Sequence, residues 1–162
     1  MIAFVASWFV RGWGRFLGRL THPSARRVSE SGPAGDFDSL TGASYCLLVS
    51  RRRDGRAVPT PLWFALAGGT LVFRTDASSA KVVRIRRDPD VLVAPCDIRG
   101  RPRGPAIRAR ARLVTDAVEE LAIERAVGEA NGLRGRIWNR LVRASHIPAA
   151  CFELAPEPLD RP

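Results

Sequence analysis

From Ser44 onward the chain breaks into short apolar runs separated by turn residues, a rhythm that predicts strands. Tyr45 to Val49 is almost wholly apolar and reads as a buried strand. Arg53, Asp54 and Gly55 mark a hairpin turn. Ala57 to Ala67 is then a second strand, Gly68 and Gly69 another turn, and Leu71 to Thr75 a third strand. Pro59 and Pro61 cannot donate ladder hydrogen bonds, so the second strand is an edge, is bulged, or faces a ligand there. Val91 to Pro95 follows the same apolar pattern and leads into the turn-rich Arg99 to Pro105. From Ile107 to Leu113 the period is two. Ile107, Ala109, Ala111 and Leu113 alternate with Arg108, Arg110 and Arg112, which predicts a half-buried strand with three guanidiniums on its outer face. Such a face either lines an anion groove or is simply solvated. Ala150 to Leu154 is a final strand, and the proline-rich tail after it frays.

The period lengthens in three places. Asp76, Ala77, Ser78 and Ser79 form an N-cap region for a short helix whose apolar side is Val82, Val83 and Ile85 and which ends before Asp88 and Pro89. Asp116 to Glu129 has helical spacing behind a cap at Thr115 or Asp116 and stops near Asn131 and Gly132. Leu133 to Arg143 is a further helix carrying Ile137, Trp138, Leu141 and Val142. Many strands, few helices and hairpins in place of βαβ units predict a small, mainly β antiparallel barrel.

Ahead of this lie two different stretches. Residues 1–20 have no charge before Arg11, then place Arg11, Arg15 and Arg19 four apart with Trp13, Phe16, Leu17 and Leu20 on other faces, a basic amphipathic helix pattern. The uncharged run is shorter than the ~20 residues a bilayer span needs, and the basic start and cleavage site of a secretory signal are missing. Such a helix lies on an anionic membrane surface or packs on the domain or a second subunit. Residues 21–41, rich in Ser, Gly and Pro, read as a linker. The expected organisation is therefore residues 1–20, a linker 21–41, a folded domain 42–155 and a tail 156–162.

Composition narrows the chemistry. The 162 residues, 46% hydrophobic and 26% charged, suit one globular domain with a sizeable core. The formal charge of +10 favours an anionic partner: nucleic acid, a membrane surface, or a phosphorylated or carboxylated small molecule. Cys46, Cys96 and Cys151 are odd in number and sit in apolar runs, the pattern of buried free thiols in a reducing, cytoplasmic compartment. His22 and His146 are too few for a metal cluster. Of the 26 basic residues, Lys81 is the only lysine. An ammonium is a compact point charge where guanidinium is a planar fork, and the two are not equivalent against an anion met end-on. Lys81 falls in the first turn of the short helix, where a cation is disfavoured by the helix dipole unless an anion shares that end. It is either a phosphate ligand, with Ser78 and Ser79 beside it, or a solvated lysine.

Three motifs in order carry a resemblance. R-R-D-G-x(3)-P-T-P-L-W-F, then L-V-F-R-T-x(4)-A-K-V-x-R-I-R-R-D-P, then V-L-V-A-P-C-D-x-R-G resemble the split β-barrel flavin-reductase superfamily that includes pyridoxamine 5′-phosphate oxidase. Within it the chain is most similar to the branch of coenzyme F420 (8-hydroxy-5-deazaflavin) dependent oxidoreductases. The resemblance spans about Leu40 to Leu154. It implies a six- to seven-stranded antiparallel split barrel of the FMN-binding type, assembled as a homodimer with pockets at the interface. It places Pro59, Thr60, Pro61 and Leu62 along the cofactor's tricyclic ring, Lys81 on its phosphate with Thr75, Ser78 and Ser79 around it, and Arg84 near its acidic tail. F420 carries a phosphate and a glutamate tail, and flavin mononucleotide (FMN), the alternative, carries the phosphate alone.

The activity implied is hydride transfer between the deazaflavin and a small unsaturated or electron-poor substrate, with orientation supplied by the protein and chemistry by the cofactor. No nucleophile is required. His146, Tyr45 and Asp97 could serve as proton donors, but each reads first as structural. The rivals are an FMN-dependent relative and a carrier that holds its ligand without turnover. Nucleic-acid binding is disfavoured, because the aromatics do not alternate with arginine as a stacking platform and no recognised motif is present.

Overall fold

The computed structural model describes residues 23–29, 35–144 and 147–157. The expected helix in residues 1–20, His22, His146 and the last five residues of the tail lie outside them. Seven strands form one antiparallel sheet: β1 (Tyr45–Arg51), β2 (Ala57–Trp63), β3 (Ala65–Ala67), β4 (Thr70–Asp76), β5 (Asp90–Cys96), β6 (Ile107–Val114) and β7 (Ala149–Pro156). Their order is β2-β1-β5-β6-β7-β4-β3. The two edge strands are thus neighbours in sequence, and the sheet curls into a half-barrel of the split-barrel type. The expected single strand from Ala57 to Ala67 divides at buried Phe64: before it the chain pairs with β1, after it with β4. β2 is an edge, as its prolines require.

The interior cluster includes Leu48, Leu71, Phe73, Val93, Phe152 and Leu154. A second cluster on the outer face joins Leu47, Val49, Leu92, Ala94 and Cys96 to Ala25. β1 and β5 are therefore buried on both sides, which is why they read as unbroken apolar runs. Ala25 belongs to a 3₁₀ turn, Pro23–Ser29, in a stretch whose composition predicts a linker. A second 3₁₀ turn, Asp38–Leu40, sets Phe37 and Leu40 into the interior, so folded structure begins ahead of residue 42. At the other end, Pro156 pairs with Ala109 inside the sheet instead of fraying.

Among the described residues there are three α-helices: α1 (Ala80–Arg87), α2 (Ala117–Ala130) and α3 (Gly132–Ala144). The Asp116 carboxylate caps α2 by accepting from the Val118 and Glu119 amides. α2 covers Val72, Val114 and Cys151 with Ile123 and Val127. α3 folds back on it through a glycine contact so close that a Cβ on Gly135 would sit 2.6 Å from the Gly128 carbonyl oxygen. All three cysteines are free and buried, and burial raises each thiol, Cys96 to about 12 and Cys151 to about 11.

Candidate cofactor site at the mouth of the barrel

The site is built where β4 ends and α1 begins. Along β4, Leu71 and Phe73 point into the barrel, so alternation puts Thr75 on the same face at its rim. The chain then turns through Asp76, whose carboxylate accepts from the Ser78 amide (2.8 Å) and hydroxyl (2.6 Å). Ser79 occupies the N-cap position of α1 without making a side-chain cap bond. Its hydroxyl oxygen is buried and has no hydrogen-bond partner. Lys81 reaches back from the first turn and donates from Nζ to Thr75 Oγ1 at 2.8 Å.

Lys81 is half-buried. Burial, then the neighbouring positive charge of Arg84, pull its ammonium down to about 8, with Asp76 opposing them. Arg84 lies one turn further along α1 and donates from Nε to Ser50 Oγ at 2.9 Å. Burial, then Arg52 and Arg87, lower the Arg84 guanidinium. Arg87 in turn donates to the Arg51 carbonyl at 2.6 Å, pinning the C-terminal half of α1 across the end of β1. The described ion pairs include none of Lys81, Arg52, Arg84 and Arg87. Among the described residues these four cations thus share one end of the barrel with no ion-paired carboxylate, beside a buried hydroxyl that lacks a partner. Buried polar groups are normally satisfied, and of this group the Ser79 hydroxyl is the one left without a described partner.

β2 runs away from that end. Val58 pairs with Ser50, and Trp63 pairs with Tyr45. Thr60 and Leu62, opposite Leu48 and Cys46, share the interior face. Pro59 and Pro61, opposite Val49 and Leu47, share the outer one. All four are half-buried. The strand ends in an aromatic group: the Trp63 ring lies 6.0 Å from Tyr45 and 6.1 Å from Trp138 of α3, the latter edge-on.

The structure joins Thr75, Lys81 and Arg84 into one constellation, with Ser79 at its base. Ser78 is turned to Asp76. Val83 is exposed and leaves the apolar side of α1 to Val82 and Ile85. Asp97 closes a turn by accepting from the Arg99 and Arg101 amides, and it and Tyr45 sit at the end of β1 opposite Ser50. Arg108, Arg110 and Arg112 line no groove. They pair on the outer face with Glu157, Asp90, and Glu153 with Glu119. Among the described residues no group of three potential ligands could hold a metal ion. Ser50, Arg52 and Arg87 were not singled out by the sequence pattern. Ser50 looks like the polar end of an apolar run, yet it is the buried polar residue of the core and the partner of Arg84.

The family model described as pyridoxamine 5′-phosphate oxidase matches residues 37–157. The chain belongs to the pyridoxamine 5′-phosphate oxidase family. The match starts at Phe37, which is buried beside the Asp38–Leu40 turn, and ends one residue after β7. Solved structures show the same fold at low identity. The conserved hypothetical protein Rv2991 of Mycobacterium tuberculosis is 17% identical with a TM-score of 0.56, over 76% of this chain and 82% of its own. The heme storage protein HutZ of Vibrio cholerae is 14% identical with a TM-score of 0.56, over 72% and 84%. The F420-H2 dependent reductase FDR-A is 12% identical with a TM-score of 0.52, over 68% and 93%. No curated protein matches the chain.

Proposed function

We propose that this member of the family binds F420 and transfers hydride between it and a small unsaturated or electron-poor substrate. The observation that carries the reading is the cluster of Lys81, Arg84 and Arg87 along α1 with Arg52 beyond the end of β1, none of them in a described ion pair. The residues present fit a phosphorylated cofactor. Lys81, the partnerless Ser79 hydroxyl and Thr75 would take the phosphate, and Arg84 with Arg52 and Arg87 would face a polycarboxylate tail. FMN, which needs the phosphate ligands alone, would leave those arginines unmatched, so F420 is preferred.

When bound, the reduced deazaflavin supplies a hydride from its ring. The protein's part is orientation: Pro59, Thr60, Pro61 and Leu62 would flank the ring, and the prolines expose a strand edge with no ladder donors to compete. No side chain acts as a nucleophile, and the raised thiols of the three cysteines leave them inert. The reading includes a homodimer whose second copy covers the half-buried β2 edge, and a cytoplasmic location in keeping with free buried thiols. No helix among the described residues is long and apolar enough to cross a membrane. A carrier function is the second reading, supported by the heme storage protein's similar fold and by the placing of Asp97 as a turn cap.

Titration of the purified protein with F420 and with FMN, followed by fluorescence, tests this directly. Tighter binding of F420 is expected, and indifference to both ends the reading. The pH dependence has a defined sign. Lys81 is charged below about 8 in the free protein, so affinity is flat there. Above about 8 the free protein must take up a proton to bind the anion, and affinity falls by at most about tenfold per pH unit. Lys81→Arg, which does not titrate in this range, removes the bend. A profile that stays flat up to pH 10 in the native protein would detach Lys81 from the ligand.

A further inference from the structure

We propose that the solvent face of α3 docks on an anionic lipid surface. The helix has two apolar sides and the fold uses one. Gly135 and Val142 are buried, and Asn139 between them donates from Nδ2 to the Glu124 carbonyl at 2.8 Å, so this side is closed against α2. On the opposite side Leu133, Ile137 and Leu141 follow one another at intervals of four and are 72%, 52% and 44% exposed. Three large aliphatic side chains at that spacing form a continuous stripe along the helix, and contiguous exposed apolar surface marks an interaction site.

The charges beside the stripe choose its occupant. α3 has no acidic residue and carries Arg134, Arg136, Arg140 and Arg143. At 100° per residue, Arg134 borders one flank of the stripe, and Arg136 and Arg140 border the other. Only Arg143 is answered, by Glu124 at 2.5 Å, while the described ion pairs include none of Arg134, Arg136 and Arg140. A second copy laid two-fold on this face would bring two helices of the same sign together with no carboxylate between them. The basic part of the N-terminal segment, with Arg11, Arg15 and Arg19, would meet the same repulsion. A lipid headgroup layer imposes no such conflict. The aliphatic stripe enters the acyl boundary while guanidiniums on both flanks reach the phosphates, the arrangement of an interfacial amphipathic helix. An acidic protein groove would have to match fixed positions on both flanks, whereas a diffuse anionic surface matches them in any register. Trp138 stands on the inner side of the same helix against Trp63, so docking would bring that end of β2 close to the bilayer.

The test is flotation of the full chain with phosphatidylcholine vesicles made with and without phosphatidylglycerol. The native protein is expected to float only with the anionic vesicles and to be released by salt. I137S/L141S removes the stripe, and R136Q/R140Q keeps the stripe and removes charge. Each is expected to weaken vesicle affinity by about tenfold or more, with an unchanged thermal midpoint because all four positions face solvent. R11Q/R15Q/R19Q separates the N-terminal segment from α3. If the α3 variants float like the native protein while this one does not, the proposal is wrong. Two further results overturn it. A native protein that ignores anionic vesicles would leave an acidic protein partner as the reading. Conversion of I137S/L141S from dimer to monomer in sedimentation would make the face an interface between copies.

Discussion

Lys81→Met is expected to cost cofactor affinity about 30- to 100-fold at pH 7 and, in the absence of ligand, to make the protein more stable. The two effects have one cause. Removing a charged donor from a phosphate forfeits about 2–3 kcal/mol of binding. In the free protein the same ammonium is held in a half-buried place beside Arg84, and its proton affinity drops from the ordinary lysine value of 10.5 to about 8. Between those two pH values the unfolded chain holds more proton than the folded one, so stability rises with pH through that window. Below about 8 the full cost of keeping the charge is present. The shift corresponds to about 3 kcal/mol at most, reduced by solvent screening and by loss of the bond to Thr75, itself worth about 1 kcal/mol. A net gain of about 1–2 kcal/mol remains, read as a rise of roughly 2–6 °C in the thermal midpoint. A residue kept at a cost to the empty fold is the mark of a binding site. If the variant instead melts lower and binds as before, Lys81 is structural and the phosphate assignment fails.

How much of this was legible before the coordinates depends on whether a feature is local. Strands β1 and β5 are legible because burial on both faces erases every polar position from Cys46 to Val49 and from Val91 to Cys96. The edge position of β2 follows from two residues without amide protons. The break at Phe64 does not, since Ala57 to Ala67 is one apolar stretch and the exchange of β1 for β4 as its partner is a tertiary event. Val83 misleads for a geometric reason. In an eight-residue helix only Val82 and Ile85, three apart, share a stripe, and Val83 stands about 100° away from Val82. The ion pairs of Arg108, Arg110 and Arg112 draw on Glu157 just past β7, Asp90 of β5 and Glu153 of β7, and no local pattern announces them.

The candidate site divides in the same way. Lys81 stands out by composition and Ser79 by its place before a helix. Thr75 was reached through family resemblance, because six residues and a change from strand to helix separate it from Lys81 and no periodicity relates them. Ser50, Arg52 and Arg87 required the fold, which lays α1 across the end of β1. The burial of Ala25 and Leu40 was hidden by the Ser, Gly and Pro around them, which raise the polarity of a segment without preventing one or two side chains from anchoring it.

Phe73→Ala should be the most damaging single change to stability, and its effect should reach the ligand. Phe73 and Phe152 are fully buried, pair directly across β4 and β7, and stack with ring centroids 5.3 Å apart and 16° between planes. Truncating one of them loses its transfer energy and opens a cavity that strands on both sides cannot collapse, at a cost of about 3–5 kcal/mol. That is a large share of a stability of roughly 5–15 kcal/mol. Thr75 is the next residue of β4 on the same face, and it holds the Lys81 ammonium, so the cavity opens directly beneath the proposed phosphate seat. Cofactor affinity should therefore fall several-fold even where the variant is fully folded. Phe73→Leu, which keeps most of the volume, should cost about 1–1.5 kcal/mol and leave binding nearly intact. Arg112→Gln, on an exposed outer-face ion pair, should change stability little and leave binding unchanged. Denaturant melts with a ligand titration on each variant separate these cases. Should Phe73→Ala lose stability yet bind as tightly as the native protein, β4 does not support the site, and the ligand must be sought away from Thr75.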